Sequence, residues 1–357
     1  MKSKVIKSVI LLVLFLLFAS WFYRIIFVLL GAVVWRHEIK RWHKGLYFVL
    51  IAVLSVALFC VLPRFRYNTG DRVRLIYQDE NCNPVLPPVS HYVFNVLFPE
   101  EEICNFAIMG VRLIPNNMPM VDWLVQEFKY DDSKGNIKNF GKCFSDLNWS
   151  GDFMMSGTTS QLANMVGLPE TRSVYLIEPE DFDEKKQYPL VFFMHGYMGN
   201  WKLYTSIMKE LKDCVVLCVG TMDWSGSFTK KDIENLFARQ LPFVKSMGYQ
   251  INEKDLHIIG LSNGGSASNI AYQNFSRKFK TITFLSTGIH QTYPISSKVL
   301  MIGGGKDHSS GSLRGAHAQL KANGTSTDIY WQDDETHFIL VNRKDEIVEF
   351  LNRNLQK

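Results

Sequence analysis

Hydrophobic positions along this chain fall into two regimes. Up to residue 63 they form long, almost unbroken runs; beyond about residue 172 they form short blocks set between polar, helically patterned stretches. Val9 to Tyr23 is apolar or aromatic apart from Ser20, Arg24 interrupts it, and Ile25 to Trp35 resumes. Leu46 to Leu62 carries no charge and stops at Pro63. A helix needs about 20 apolar residues to cross a bilayer core, so these runs predict N-terminal transmembrane helices. Arg24 would snorkel toward an interface. The second run, and the lack of a small-residue cleavage site, argue against a removed signal peptide.

The later blocks predict strands at Ser173 to Ile177, Leu190 to Met194, Val215 to Val219, Leu256 to Ile259, Thr281 to Leu285, Val299 to Ile302 and Asp328 to Trp331. Helices are expected near Lys202 to Leu211 and from Thr229 to Met247. A closing helix carries Ile347, Phe350, Leu351 and Leu355 on one face. Continuously apolar strands alternating with helices indicate a mostly parallel sheet covered on both faces. Reactive loops gather at the carboxyl ends of such strands. Between the two regimes, strand-like pieces (Arg72 to Tyr77, His91 to Phe98, Cys104 to Ile114) alternate with turns such as Asn83-Pro84-Val85-Leu86-Pro87-Pro88 and Pro115-Asn116-Asn117. The expected organisation is a membrane anchor over 1–63, a β-rich region over 64–150 and an α/β domain over 151–357. The middle region reads as a sheet extension or packing subdomain, with a lid over a site as the sharper alternative.

Charge and cysteine content refine this picture. The 357 residues carry a net charge of +5. Much of the excess flanks the apolar runs: Lys2, Lys4 and Lys7 precede them, Arg36, Lys40, Arg41 and Lys44 lie between, and Arg64, Arg66, Arg72 and Arg74 follow. No later basic run interleaves with aromatics, so a nucleic-acid partner is not indicated. With two spans, seven of these cations share a side with the C-terminal domain against four in the loop, which tips the expectation toward a cytoplasmic domain. A re-entrant hairpin at Arg24 would place it outside. Of six cysteines, Cys60, Cys214 and Cys218 lie in apolar segments and read as small buried hydrophobes. Cys82, Cys104 and Cys143 leave at most one bridge, and no spacing resembles a zinc site.

The candidate chemistry begins at Gly260-Leu261-Ser262-Asn263-Gly264, directly after the strand Leu256-His257-Ile258-Ile259. This G-x-S-x-G pattern describes a strand-to-helix elbow that pushes a serine hydroxyl out of the backbone. Ser262 is the expected nucleophile. A serine needs a base to take its proton and a third group to orient that base. Asp307 follows a strand in the run Gly303-Gly304-Gly305-Lys306-Asp307, and His337 follows the last strand, 45 and then 30 residues on. Ser, acid, His is the chain order this architecture requires. Asp333, Asp334 and Glu335 lie closer to His337 in sequence but read as solvated loop acids. The oxyanion of a tetrahedral intermediate also needs fixed donors. The Asn263 N–H and, in the loop His195-Gly196-Tyr197, the Tyr197 N–H are the candidates, with His195 bracing that loop. Asp223 and Trp224 follow another strand and are candidate pocket residues, or simply a cap and a half-buried ring.

With those residues assembled, Ser173 to Lys357 resembles the α/β-hydrolase superfamily. Tyr188-Pro189-Leu190-Val191-Phe192-Phe193-Met194-His195-Gly196-Tyr197 and Gly260-Leu261-Ser262-Asn263-Gly264-Gly265 look most like its esterase branch, which includes feruloyl-esterase-like, polyhydroxyalkanoate-depolymerase-like and carboxylesterase-like enzymes. The resemblance covers roughly half the chain. It implies an α/β-hydrolase fold and acyl-enzyme chemistry with no metal or organic cofactor. The expectation is a membrane-tethered serine hydrolase acting on a small-molecule or lipid ester. A peptidase or acyltransferase of the same fold, or a silent membrane-anchored binding module, are the rivals.

Overall fold

The computed structural model describes residues 2–17, 28, 30–31, 72–86, 171–197, 199–223 and 226–356. Near its start, α1 (Lys2–Leu17) is a helix of 16 residues whose Val5, Ile6, Val9, Ile10 and Leu12 are exposed. Among the described residues no helix is long and apolar enough to cross a membrane. The Leu46 to Leu62 run, most of 18–35, and the strand-like pieces at 91–98 and 104–114 lie outside the described residues.

Nine described strands form one sheet: β1 (Val73–Gln78), β2 (Pro84–Val85), β3 (Arg172–Ile177), β4 (Tyr188–Met194), β5 (Val215–Val219), β6 (Ile251–Leu261), β7 (Thr281–Leu285), β8 (Lys298–Gly304) and β9 (Thr327–Gln332). Their spatial order is β2-β1-β3-β5-β4-β6-β7-β8-β9. All pairs from β5 to β9 are parallel, whereas β3 and β1 run antiparallel to their neighbours. The sheet is mostly parallel, as the apolar blocks predict.

Side chains alternate between its faces with the period-two geometry of a strand. Leu190, Phe192, Met194, Leu217, Ile258, Phe284 and Met301 pack on one face. It is covered by a helical stretch over 230–246, by α2 (Gly265–Phe275) and by α3 (Leu313–Ala322). Val191, Phe193, Val216, Ile259, Leu300 and Ile302 face the other way, against Ile207, Met208 and the apolar stripe Ile347, Leu351, Leu355 of α4 (Lys344–Leu355). Burying each large side chain is worth about 1.5–3 kcal/mol, and the central strands are buried along nearly their whole length.

The 230–246 stretch starts at a capping box in which Thr229 and Asp232 satisfy each other's backbone N–H groups. The uniform helix expected there is interrupted by a π-helical turn, Leu236–Gln240. Gln240 is buried, and its amide exchanges two hydrogen bonds with the buried amide of Gln78 on β1, at 3.1 and 2.7 Å. Residues 72–86 are therefore built into the same sheet as the C-terminal half. Arg172 completes this junction. It is almost wholly buried, donates to the Glu80 carbonyl at 3.1 Å and lies 3.7 Å from Asp232.

The connections from β4 diverge: β5 lies on one side of it and β6 on the other. A crevice opens at the carboxyl ends of strands at such a switch point. Gln78→Leu strands a buried amide and lowers the unfolding free energy by about 1–3 kcal/mol in urea titrations. Adding Gln240→Leu restores part of that loss.

Candidate active site

Ser262 stands at the carboxyl end of β6 with φ at +52°, a left-handed conformation that costs a non-glycine residue about 1–3 kcal/mol. The chain turns through a 3₁₀ segment, Ser262–Gly264, directly into α2. The flanking glycines are required by close approach. A Cβ on Gly264 would lie 2.2 Å from the Met194 carbonyl oxygen, and one on Gly260 would lie 2.4 Å from the Gly264 oxygen. The elbow is seated backbone to backbone on the end of β4.

His337 reaches Ser262 from the loop after β9. Its Nε2 is 2.9 Å from Ser262 Oγ, and its Nδ1 is 3.0 Å from Asp307 Oδ1. Asp307, at the end of the β8 loop, has a side chain only 3% exposed. Burial alone would raise its pKa. The hydrogen bonds from His337, from the Ser310 hydroxyl at 2.5 Å and from the Ser309 N–H at 2.9 Å outweigh that, and the carboxyl is held below its ordinary value. An ionised carboxylate only accepts, so Nδ1 carries the proton and Nε2 is left to accept from the Ser262 hydroxyl. The structure thus brings together the three side chains expected from sequence, linked in one hydrogen-bonded line.

Gly196 lies beside the serine: a Cβ there would be 3.1 Å from Ser262 Cβ and 3.6 Å from its Oγ. The 195–197 loop therefore borders the hydroxyl, with Tyr197 half-exposed and its carbonyl accepting the Trp201 indole N–H at 2.9 Å. Asn263 follows Ser262 within the 3₁₀ segment. His195 is completely buried, and burial pushes its imidazole down to about 4. Its Nδ1 bonds the Gly196 carbonyl at 2.7 Å, while Nε2 accepts the Thr221 N–H at 3.1 Å. This neutral ring links the β4 loop to the β5 loop. Asp223 is exposed in the latter, where its carbonyl accepts the Gly226 N–H at 3.0 Å. Trp224 lies outside the described residues.

The other described histidines are placed elsewhere. His257 is buried within β6 against Asp255 and Thr281, His317 bonds Thr327, and His290 and His308 are exposed. Among the described residues no group of three or more His, Cys, Asp or Glu side chains is placed to hold a metal ion. One residue near the site escaped the sequence reading. Glu335, expected to be solvated with Asp333 and Asp334, is only 1% exposed and is bound by Arg343 and Asn342. Its partners lie 7 and 8 residues further on, and nothing in the acidic run Asp333-Asp334-Glu335 marks it out.

A parallel sheet with this strand order, a serine elbow after β6, an acid after β8 and a histidine after β9 decides the architecture. The fold is α/β-hydrolase-like. No protein-family model matches the chain, and no curated protein matches it. Among solved structures, this hydrolase-like half is similar to the acylaminoacyl peptidase of Pyrococcus horikoshii, at 17% identity and a TM-score of 0.41 over 53% of this chain and 40% of that one. A ferulic acid esterase of Anaeromyces mucronatus is similar at 16% identity and a TM-score of 0.39, over 52% of this chain and 85% of the esterase. A thermostable esterase matches at 17% identity and a TM-score of 0.39, over 51% and 59% of the two chains. This chain therefore spans less than two thirds of the peptidase and of the thermostable esterase.

The buried His195 generates a prediction about acid stability. The unfolded state takes up a proton near pH 6.5, whereas the folded state resists protonation until about 4. Stability present above pH 6.5 is therefore lost as pH falls toward 4, by about 3 kcal/mol from this group. His195→Gln flattens that part of the stability–pH curve, measured by urea unfolding at pH 7, 5.5 and 4.

Proposed function

We propose that this protein is a membrane-attached serine hydrolase that cleaves carboxylic esters through an acyl-enzyme on Ser262. The observation that carries the reading is the continuous hydrogen-bonded line from Ser262 through His337 to the buried, ionised Asp307. In this reading Ser262 Oγ attacks the ester carbonyl carbon while its proton passes to His337 Nε2. Asp307 keeps the imidazole in the right tautomer and stabilises the imidazolium. Negative charge on the carbonyl oxygen is met by the Asn263 and Tyr197 N–H groups. His337 then returns the proton to the departing alkoxide, and a water molecule repeats the sequence to release the acid.

Esters are favoured over amides by the resemblance of the elbow and the His195-Gly196-Tyr197 loop to the esterase branch. Attachment to a membrane is supported by the two apolar runs of the first 63 residues and by the exposed apolar side chains of α1. That location favours lipophilic or lipid esters as substrates, and the flanking cations favour a cytoplasmic catalytic domain. Asp223 and Trp224 are proposed to border the substrate.

The test is labelling of detergent-solubilised protein with a fluorophosphonate. Wild type is labelled, while Ser262→Ala and His337→Ala are not; persistent labelling of Ser262→Ala would sink the assignment. Ester turnover falls on the order of 10⁶-fold in Ser262→Ala and roughly 10⁴-fold in Asp307→Asn, which mis-sets the histidine tautomer. Matched ester, anilide and alcohol-acceptor substrates separate hydrolysis of esters from amide cleavage and acyl transfer. For the anchor, the full chain stays in the membrane pellet after alkaline carbonate washing, and its release by carbonate would refute integral attachment.

A further inference from the structure

We infer that Glu335 is the positioning residue for His337: its buried carboxylate clamps the histidine loop to the helix beyond, and its carbonyl ties that loop to the one carrying Asp307. The inference rests on the proposed catalytic role of His337 and adds a residue to that machinery.

Three neighbouring acids show the contrast. Asp333 and Asp334 are exposed, but Glu335 is 1% exposed. Burying an ionised carboxylate is strongly unfavourable unless both oxygens are engaged. Here they are. Arg343 Nε donates to Oε1 at 2.8 Å and Asn342 Nδ2 donates to Oε2 at 3.0 Å. Both donors come from the segment leading into α4, so the side chain binds the loop before His337 to the element after it. Arg343 is itself held from the other side by Glu346, 3.2 Å from Nη1.

The backbone of the same residue faces the acid loop. The Glu335 carbonyl accepts the Lys306 N–H at 2.9 Å, one position before Asp307, and the Glu335 N–H donates to the Gln332 carbonyl at 3.2 Å. Gly304 permits this approach, because a Cβ there would lie 2.1 Å from the Glu335 oxygen. One residue therefore fixes two loops. The His337 ring must satisfy Ser262 and Asp307 at once, so a loop free to move by an ångström loses one bond or the other. A misplacement of that size costs about a hundredfold in rate. Glu335 acts through the backbone and touches neither reacting atom.

The experiment compares wild type, Glu335→Gln, Arg343→Met and the double variant, using fluorophosphonate labelling rates and hydrolysis of p-nitrophenyl butyrate well below each Tm. Glu335→Gln keeps the shape and an acceptor for Asn342 but removes the ion pair. The expected result is a fall of about a hundredfold in kcat and labelling rate, with KM within about twofold. The double variant falls no further than the singles, as for residues acting as one unit. Arg343→Lys recovers part of the rate, and it carries the test if Glu335→Gln does not fold. Lys298→Met is the stability control: it breaks contacts to Asp328 and Asn354 at the opposite end of β8, lowering Tm without lowering kcat. Wild-type rates in Glu335→Gln and Arg343→Met, with only Tm reduced, would show that the clamp is merely structural. An unlabelled, folded wild type would overturn the hydrolase reading itself and this inference with it.

Discussion

The site depends on one close approach of backbone to backbone, where the turn after β6 rests on the last carbonyls of β4. No side chain fits between Gly264 and the Met194 and His195 oxygens, and Ser262 is forced into a left-handed conformation as a result. Such strain persists only where the surroundings over-determine it. The surroundings here are β4 and β6, paired in register from Leu190 with Leu256 to Met194 with Gly260 and buried between two apolar layers. The stiffness of the central strands is thus converted into the position of a single hydroxyl.

Asp307 and His195 are both buried near that hydroxyl, and the partners of each suit one charge state. Asp307 receives bonds from an imidazole, a hydroxyl and a backbone N–H, so that burial does not neutralise it. His195 is treated oppositely: one nitrogen faces a carbonyl and the other an N–H, which suits only the neutral ring. The two histidines, after β4 and after β9, therefore differ in kind. His195 is a fixed strut, while His337, its side chain 11% exposed, links the Ser262 hydroxyl to the Asp307 carboxylate.

The local parts of this architecture were legible in the sequence. Val215 to Val219 and Thr281 to Leu285 coincide with β5 and β7, because a continuous apolar block flanked by polar turns has one reading in a covered sheet. The order Ser262, Asp307, His337 was legible because each residue stands just beyond an apolar strand, β6, β8 and β9. What escaped is non-local. Pro84 and Val85 were expected in a turn yet pair with β1; proline is tolerated there because β2 is outermost among the described strands, where a missing N–H breaks no ladder. The π turn at Leu236–Gln240 answers to Gln78, and the burial of Glu335 answers to Arg343 and Gly304. Neither partner is visible in the periodicity of its own segment. Composition made Glu335 look like its two solvated neighbours, and only the tertiary arrangement separates them.

The antiparallel edge has a consequence for how the chain is assembled during synthesis. Arg74 on β1 meets Glu178, 104 positions along the chain, and Gln78 meets Gln240, 162 positions along. β1 therefore leaves the ribosome with β2 close behind but long before β3, and its docking into the main sheet belongs to the slow, high-contact-order part of folding. The entropic cost of closing so long a loop grows only logarithmically, by about 0.6 kcal/mol per doubling of length. The separation accordingly weighs on the rate of docking more than on the stability of the finished edge. At β3 the constraint is tightest: every residue is buried, all six pair with β1, and Tyr175 to Ile177 pair with β5 as well.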